Sequence, residues 1–237
     1  MKYTFDYIVE PQMVDSTLTA RLAAVETMLL NSAGKAADQL GIGVEDLLKD
    51  NYAWILARIA FELDYRPKLG SVITVETWID HAEMSFSIRN FRILSDNKQV
   101  GLGKSIWTVL NLQTRRSVNL MTEERFSILS TNIDNGMSMP EKLMTVNSDP
   151  VYIYKTVYSD IDFNGHSNSV QYLQWMLNAL PVEKATALKP KRIDINYLRE
   201  VMPEEEISVA YIINENNILF EVRNAAGKPA SRALITQ

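Results

Sequence analysis

Two carboxylates, two amides and one imidazole fall between Asp160 and Asn168, in the stretch "DIDFNGHSNSVQYLQWML". Apolar residues at helical spacing follow at once: Val170, Leu173, Leu177 and Leu180. The start of a helix exposes unpaired N–H groups and the positive end of the macrodipole, so it is a good place to hold developing negative charge. Beside it, a carboxylate can take a proton, an imidazole can pass one near neutral pH, and an amide can fix a carboxylate. Taken in isolation, the same residues are a turn and an N-cap, because Asp, Asn and Gly are turn formers. The second histidine, His81 in "IDHAEM", reads as an ordinary strand-end residue.

Composition narrows the chemistry. The chain has no cysteine, which removes disulfides, thiolate metal sites and a thiol nucleophile together. Its two histidines are far apart, so a His-rich metal site is not expected, and nothing in the sequence asks for a metal or organic cofactor. A net charge of −5 argues against nucleic acid as partner, since no global positive field draws phosphates in. The hydrophobic fraction of 46% and charged fraction of 22% are ordinary for a globular protein, and 237 residues suffice for one large or two small domains. No apolar run approaches the ~18–20 residues that span a bilayer. "MKYTFDYIVEPQ" reads as a strand without the apolar segment of a signal peptide. A cytoplasmic enzyme or binding protein is the expectation.

The elements that must position these residues occur twice. "YTFDYIVE" alternates with the period of a strand. Leu18, Leu22, Val25, Leu29, Ala33, Ala36 and Leu40 then form one helical stripe, with Asp15 or Ser16 as the expected cap and an end near Gly41. "AWILARIAFELDYRPKLGSVITVETWIDHAE" reads as strand, turn, strand, and "FSIRNFRILSDNKQVGLGKSIWTVLNLQTRR" as a hairpin at Ser95–Lys98. Polar, weakly periodic residues follow, and 126–149 is the expected linker between domains 1–125 and 150–237. "VYIYKTVYS" opens the second copy, followed by a shorter helix stopped at Pro181. "KRIDINYLREVMPEEEISVAYII" matches the first copy at an offset of 134, placing Arg58 on Arg192, Phe61 on Ile195 and Val75 on Val209. The fold expectation is α+β: a tandem (double) hot-dog, each half a curved, mostly antiparallel sheet wrapped around one long helix. Two copies in one chain make an internal pseudo-dimer and leave further homo-oligomerisation open.

On these residues the chain resembles the acyl-acyl-carrier-protein thioesterases. "DIDFNGHSNSVQYLQWML" is similar to their D-x-N-x-H-x-N-N-x-x-Y segment, "SIWTVLNLQTRRSVNL" to their strand ending in an arginine pair, and "INYLREVM" to the segment carrying their catalytic glutamate. The resemblance implies a catalytic set of Asp162, Asn164, His166 and Glu200. Many family members have a cysteine after the glutamate; here it is Val201, which favours direct attack by water. Gly165 lies inside the motif, and Ser169 stands where the family often has a second Asn. Thioester hydrolysis requires a base for the water, a holder for the oxyanion and a proton for the leaving thiol. Glu200 acting on water with Asp162 orienting the network is the favoured assignment. N–H groups of the helix starting near Asn168 are the expected oxyanion donors.

The first copy has no acid–Asn–His loop, enters its helix through the hydroxyls of "PQMVDSTLTARLAAVE", and has Arg66 where the second has Glu200. The resemblance therefore makes it a non-catalytic half housing the acyl chain, with Met28, Leu29, Trp54 and Leu56 as possible lining, although such residues are more often plain core. Tyr172 and Trp175, at helical spacing, are likewise packing residues. Arg115, Arg116, Lys191 and Arg192 are candidates for binding an acidic acyl carrier protein, and the arginine pair also reads as a solvated strand end. An acyl-CoA thioesterase would share almost every residue. A hot-dog dehydratase would use His and a carboxylate but leave the thioester whole, and a non-catalytic acyl sensor is the weakest alternative.

Overall fold

The computed structural model describes residues 1–127 and 129–237. Eleven strands form one antiparallel sheet: β1 (Tyr3–Ile8), β2 (Tyr52–Leu63), β3 (Val72–Ala82), β4 (Ser87–Ser95), β5 (Lys98–Asn111), β6 (Arg116–Ser117), β7 (Tyr152–Lys155), β8 (Arg192–Tyr197), β9 (Glu206–Asn214), β10 (Asn217–Arg223) and β11 (Pro229–Thr236). The spatial order is β1-β3-β4-β5-β2-β8-β11-β10-β9-β7, with β6 paired to β5. The second half of that order is the first half reversed, copy for copy. At the centre Ile59 pairs with Ile195, Ala60 with Asp194 and Phe61 with Ile193. Ala60 and Asp194 are counterparts at the offset of 134, so a residue meets its own equivalent there. That register is what a local two-fold axis between the copies requires.

Period-two patterning divides the sheet into two faces. On β8, Ile193 and Ile195 join the core, which lies beneath α1 (Leu22–Gln39) and α4 (Ser169–Asn178) and includes Phe61, Phe91, Leu29, Leu173 and Phe220. Arg192, Asp194 and Asn196 face the other way. The segment 130–149, which has no helix or strand, crosses that outer face as a strap. Its backbone is bound by sheet side chains: Trp78 and Asn90 donate to the Ile133 carbonyl, Lys104 to Met137, and Arg232 to Leu143. Asp194 and Asn196 accept from the Glu141 and Leu143 N–H groups at 2.8 and 2.9 Å. These bonds match buried polar side chains of both halves to the strap backbone and tie the halves together, although the buried Asn90 Oδ1 has no partner.

The helix boundaries differ from the sequence pattern. α1 begins at Leu22, and its N-cap Arg21 supplies no side-chain bond. Asp15 and Ser16 are not its caps: residues 15–18 form a turn of their own, with Leu18 exposed at φ +58°. Leu22, Val25, Leu29, Ala33 and Ala36 are buried as the stripe predicts. Three short helices were not anticipated: α2 (Val44–Lys49), α3 (Glu124–Ser127) and α5 (Val182–Ala187), the last starting just after Pro181.

Candidate active site

The loop from Asp162 to Ser167 is a narrow hairpin at the entrance to α4. The Asp162 N–H donates to the His166 carbonyl at 2.9 Å, and the Gly165 N–H to the Asp162 carbonyl at 3.1 Å. Gly165 takes φ +81°, which a side chain at that position would strain. The Asp162 carboxylate is fixed by the Asn164 N–H at 2.8 Å and the Asn164 amide at 3.3 Å. Asn168 caps α4 by accepting from the Val170 N–H, and among the described residues the Ser169 N–H has no acceptor, which leaves it one of the free donors of the first turn.

Glu200 arrives from the loop after β8, and two bonds on either side of it stitch that loop to the hairpin and to α4. The Ser167 N–H donates to the Val201 carbonyl at 2.9 Å, and the Tyr172 hydroxyl to the Arg199 carbonyl at 3.2 Å. Val201 itself is fully buried. Burial holds the Tyr172 phenol well above its ordinary pKa, so it stays a donor. The outcome is an acid–imidazole–acid row: His166 Nδ1 lies 3.8 Å from Asp162 Oδ1, and Nε2 lies 3.8 Å from Glu200 Oε1. Asp162 is largely covered at 15% side-chain exposure, whereas Glu200 at 43% faces water. The four residues singled out in the sequence are therefore brought together. Asp160 plays a different part, for it is buried and accepts from the Tyr154 hydroxyl and the Val157 N–H.

The four candidate carrier-binding cations separate into two places. Arg115, in the turn after β5 at φ +56°, brings its guanidinium 3.9 Å from Glu200 Oε2. Arg116 follows on β6, exposed. Lys191 and Arg192 sit at the opposite end of β8, whose six residues at about 3.3 Å each separate them from the Glu200 loop by roughly 20 Å. Arg192 uses all five N–H donors within the chain, on Asp194, Glu62, Ser138 and the Met139 carbonyl. It holds the strap, which an R-x-D-x-N alternation on a strand could have signalled. His81 lies 3.6 Å from Asp80 and 3.7 Å from Glu83 at the end of β3, and Met28, Leu29 and Leu56 belong to the core.

The first copy holds the same hairpin, which its sequence conceals. Asp15 N–H donates to Thr19 carbonyl at 3.1 Å, Leu18 N–H to Asp15 carbonyl at 3.0 Å, and Thr17 N–H to Asp15 Oδ1 at 2.8 Å. These bonds reproduce those of Asp162, His166, Gly165 and Asn164 one for one, at an offset of 147. Bridges Val14–Ala20 and Ile161–Ser167 close both hairpins. Thr19 takes the place of His166. Arg66 takes the place of Glu200 and pairs with Asp15 at 2.6 Å. Burial works against ionised Asp15, but bonds from Thr17 and Arg66 outweigh it and hold the carboxyl below its usual range. The offset differs from that of the strands partly because α1 has 18 residues and α4 only 10.

The model of the acyl-ACP thioesterase N-terminal domain matches residues 1–129, and that of the C-terminal domain residues 145–235. The chain belongs to the acyl-ACP thioesterase family. A crystal structure of an acyl-ACP thioesterase from Bacteroides thetaiotaomicron is similar over 99% of this chain and 97% of that one, with a TM-score of 0.92 and 30% identity. That neighbour confirms the double hot-dog for this acyl-ACP thioesterase family member. Among curated relatives, the chloroplastic palmitoyl-acyl carrier protein thioesterase of Arabidopsis thaliana is 27% identical over 76% of this chain and 48% of its own length. The chloroplastic oleoyl-acyl carrier protein thioesterase 1 of the same plant is 24% identical over 87% of this chain and 62% of its own. The chain thus spans about half to three fifths of the length of these relatives. Among its described residues no helix is long and apolar enough to cross a membrane.

Proposed function

We propose that this chain hydrolyses the thioester of acyl-[acyl-carrier-protein], releasing free fatty acid in fatty acid biosynthesis. The observation that carries the reading is the row Asp162–His166–Glu200 at the mouth of α4, with a water-facing carboxylate at one end. Glu200 takes a proton from water as its oxygen attacks the thioester carbon. The oxyanion is held by backbone donors at the start of α4, the Ser169 N–H among them, a contribution of about 10²–10³ in rate per donor. The C–S bond then breaks. The proton on Glu200 passes through His166 to the leaving sulfur, regenerating the carboxylate. Asp162, itself fixed by Asn164, orients the imidazole. The 3.8 Å gaps are longer than hydrogen bonds, as is common before substrate closes such a network.

The division into 1–125, linker 126–149 and 150–237 goes with this assignment, the first half housing the acyl chain without catalysing. The Asp15–Arg66 pair and Thr19 support that division, since neither a free carboxylate nor an imidazole is left there. Arg115 and Arg116, beside the site, are the proposed docking cations for the acidic carrier. A cytoplasmic location fits access to that carrier.

Thiol release from a panel of carrier-bound acyl chains tests the reading. Glu200→Ala and Asp162→Ala should each abolish turnover with circular dichroism unchanged, and activity retained in both discards the assignment. Higher kcat/KM on acyl-CoA than on the carrier substrate would move the chain to the acyl-CoA class. Conversion of 3-hydroxyacyl thioesters with the C–S bond intact would make it a dehydratase.

A further inference from the structure

A second polar feature lies in the first copy, away from the Asp162–His166–Glu200 row. Arg89 on β4 is two residues from Phe91 and shares its core-facing side. Strand pairing sets Gly103 between Phe91 and Phe61, and in the second copy Ala233 between Phe220 and Ile195. The counterpart of Arg89 is therefore Ile218, wholly buried and aliphatic. One copy thus keeps a guanidinium, 5% exposed, where the other keeps core.

Among the described residues Arg89 has no carboxylate within 4.0 Å and makes one side-chain hydrogen bond, to Thr77 Oγ1 at 3.3 Å. Burial pulls its pKa down to about 10. It lines a cavity of about 180 Å³ together with the apolar Met1, Leu40, Trp78, Ile79 and Leu129 and the polar Tyr3 and Ser130. That is room for about six waters' worth of liquid volume. A buried cation without a counter-charge is costly, and a planar guanidinium fork matches a carboxylate in two parallel bonds. Arg89 is the buried cation of this lining, whereas Met1 is exposed, and the apolar walls call for an alkyl body carrying one carboxylate rather than a hydrated dianion.

We propose that this cavity binds a small organic monocarboxylate, its carboxylate on Arg89 and its alkyl part against Leu40, Ile79 and Trp78. The site does not depend on the hydrolytic row. Equilibrium dialysis of the full chain with radiolabelled butanoate should show saturable binding at one site. Butanol should not compete, and neither should chloride at the same concentration. Arg89→Met should weaken binding at least about tenfold, the cost of losing hydrogen bonds to a charged group, whereas His166→Ala should leave it unchanged. Should Arg89→Met fail to fold, nuclear Overhauser contacts in the wild-type chain place the ligand: from the butanoate methyl to the Ile79 and Leu40 methyls. Equal competition by butanol or chloride, undiminished binding in folded Arg89→Met, or contacts only around His166 would each overturn the proposal.

Discussion

Replacing Glu26 by Gln should reverse the sign of its effect on stability between pH 5 and pH 8. Glu26 lies on α1 with no exposed surface, its Oε1 accepting from the Tyr197 hydroxyl and its Oε2 without a partner. Burial raises its pKa from 4.5 to about 8, against the smaller opposing effect of the Tyr197 bond. Between those values the folded chain keeps a proton that the unfolded chain has released. Stability is therefore greatest below pH 4.5 and falls as pH rises towards 8, by about 1.4 kcal/mol per pH unit and about 5 kcal/mol across the window. Glutamine escapes that loss because it never ionises. It can still accept from Tyr197, but its amide puts two N–H donors where the protonated carboxyl puts one O–H, and the additional unpartnered donor costs about 1–3 kcal/mol. The variant should be less stable than the parent by up to about 2 kcal/mol at pH 5, and more stable by about 1–3 kcal/mol at pH 8. Urea denaturation at four pH values reads the difference directly. A difference that does not change with pH would mean that folded Glu26 carries no extra proton, and would refute the reasoning.

Four further outcomes can be measured. Gly165→Ala forces a side chain onto φ +81° and should cost roughly 1 kcal/mol of stability while lowering kcat, seen by thermal melts and steady-state kinetics. Arg66→Met leaves Asp15 unpaired and should cost roughly 2 kcal/mol at pH 7, between the figures for exposed and buried pairs. Because Asp15 has a depressed pKa, that cost should be present above its unfolded value of 3.8 and shrink as pH falls through it. Glu221→Gln removes the carboxylate that receives both Arg223 and Arg232 and should destabilise the chain by about 3–5 kcal/mol in urea. Arg116→Glu should raise KM for carrier-bound substrate and leave hydrolysis of a small soluble thioester unchanged; equal effects on both would argue against docking there.

The strands were legible because period-two alternation survives in both copies, and the offset of 134 carried through to the residue pairs that meet at the centre of the sheet. The acid–imidazole row was legible through the resemblance of "DIDFNGHSNSVQYLQWML" and "INYLREVM" to family segments, since the loop residues alone read equally as a turn and an N-cap. The start of α1 was not, because Leu18 continues the helical spacing although it sits in a left-handed turn. Nor was the strap. Residues 130–149 carry no periodicity because their partners are buried side chains of other strands, and a one-dimensional pattern does not record such pairings.

The hairpin of the first copy was the least visible feature of all. Backbone hydrogen bonds define it, and these tolerate Thr17 for Asn164, Leu18 for Gly165 and Thr19 for His166. A sequence comparison scores those pairs as unlike, whereas the geometry scores them as one loop. Two changes then separate the proposed hydrolytic site from its counterpart in the first copy: Thr19 stands for His166, so the imidazole is absent, and Arg66 stands for Glu200, so the facing charge is positive. With Asp15 still in place, that positive charge closes an ion pair at 2.6 Å, where the second copy leaves Asp162 and Glu200 on either side of an imidazole. Two carboxylates facing each other repel, and a bound proton or water between them relieves the repulsion. Opposite charges across the first hairpin need neither. The two-fold frame therefore builds two equivalent hairpins, and the absent imidazole together with the reversed charge after β2 gives the first an ion pair where the second has the acid–imidazole–acid row.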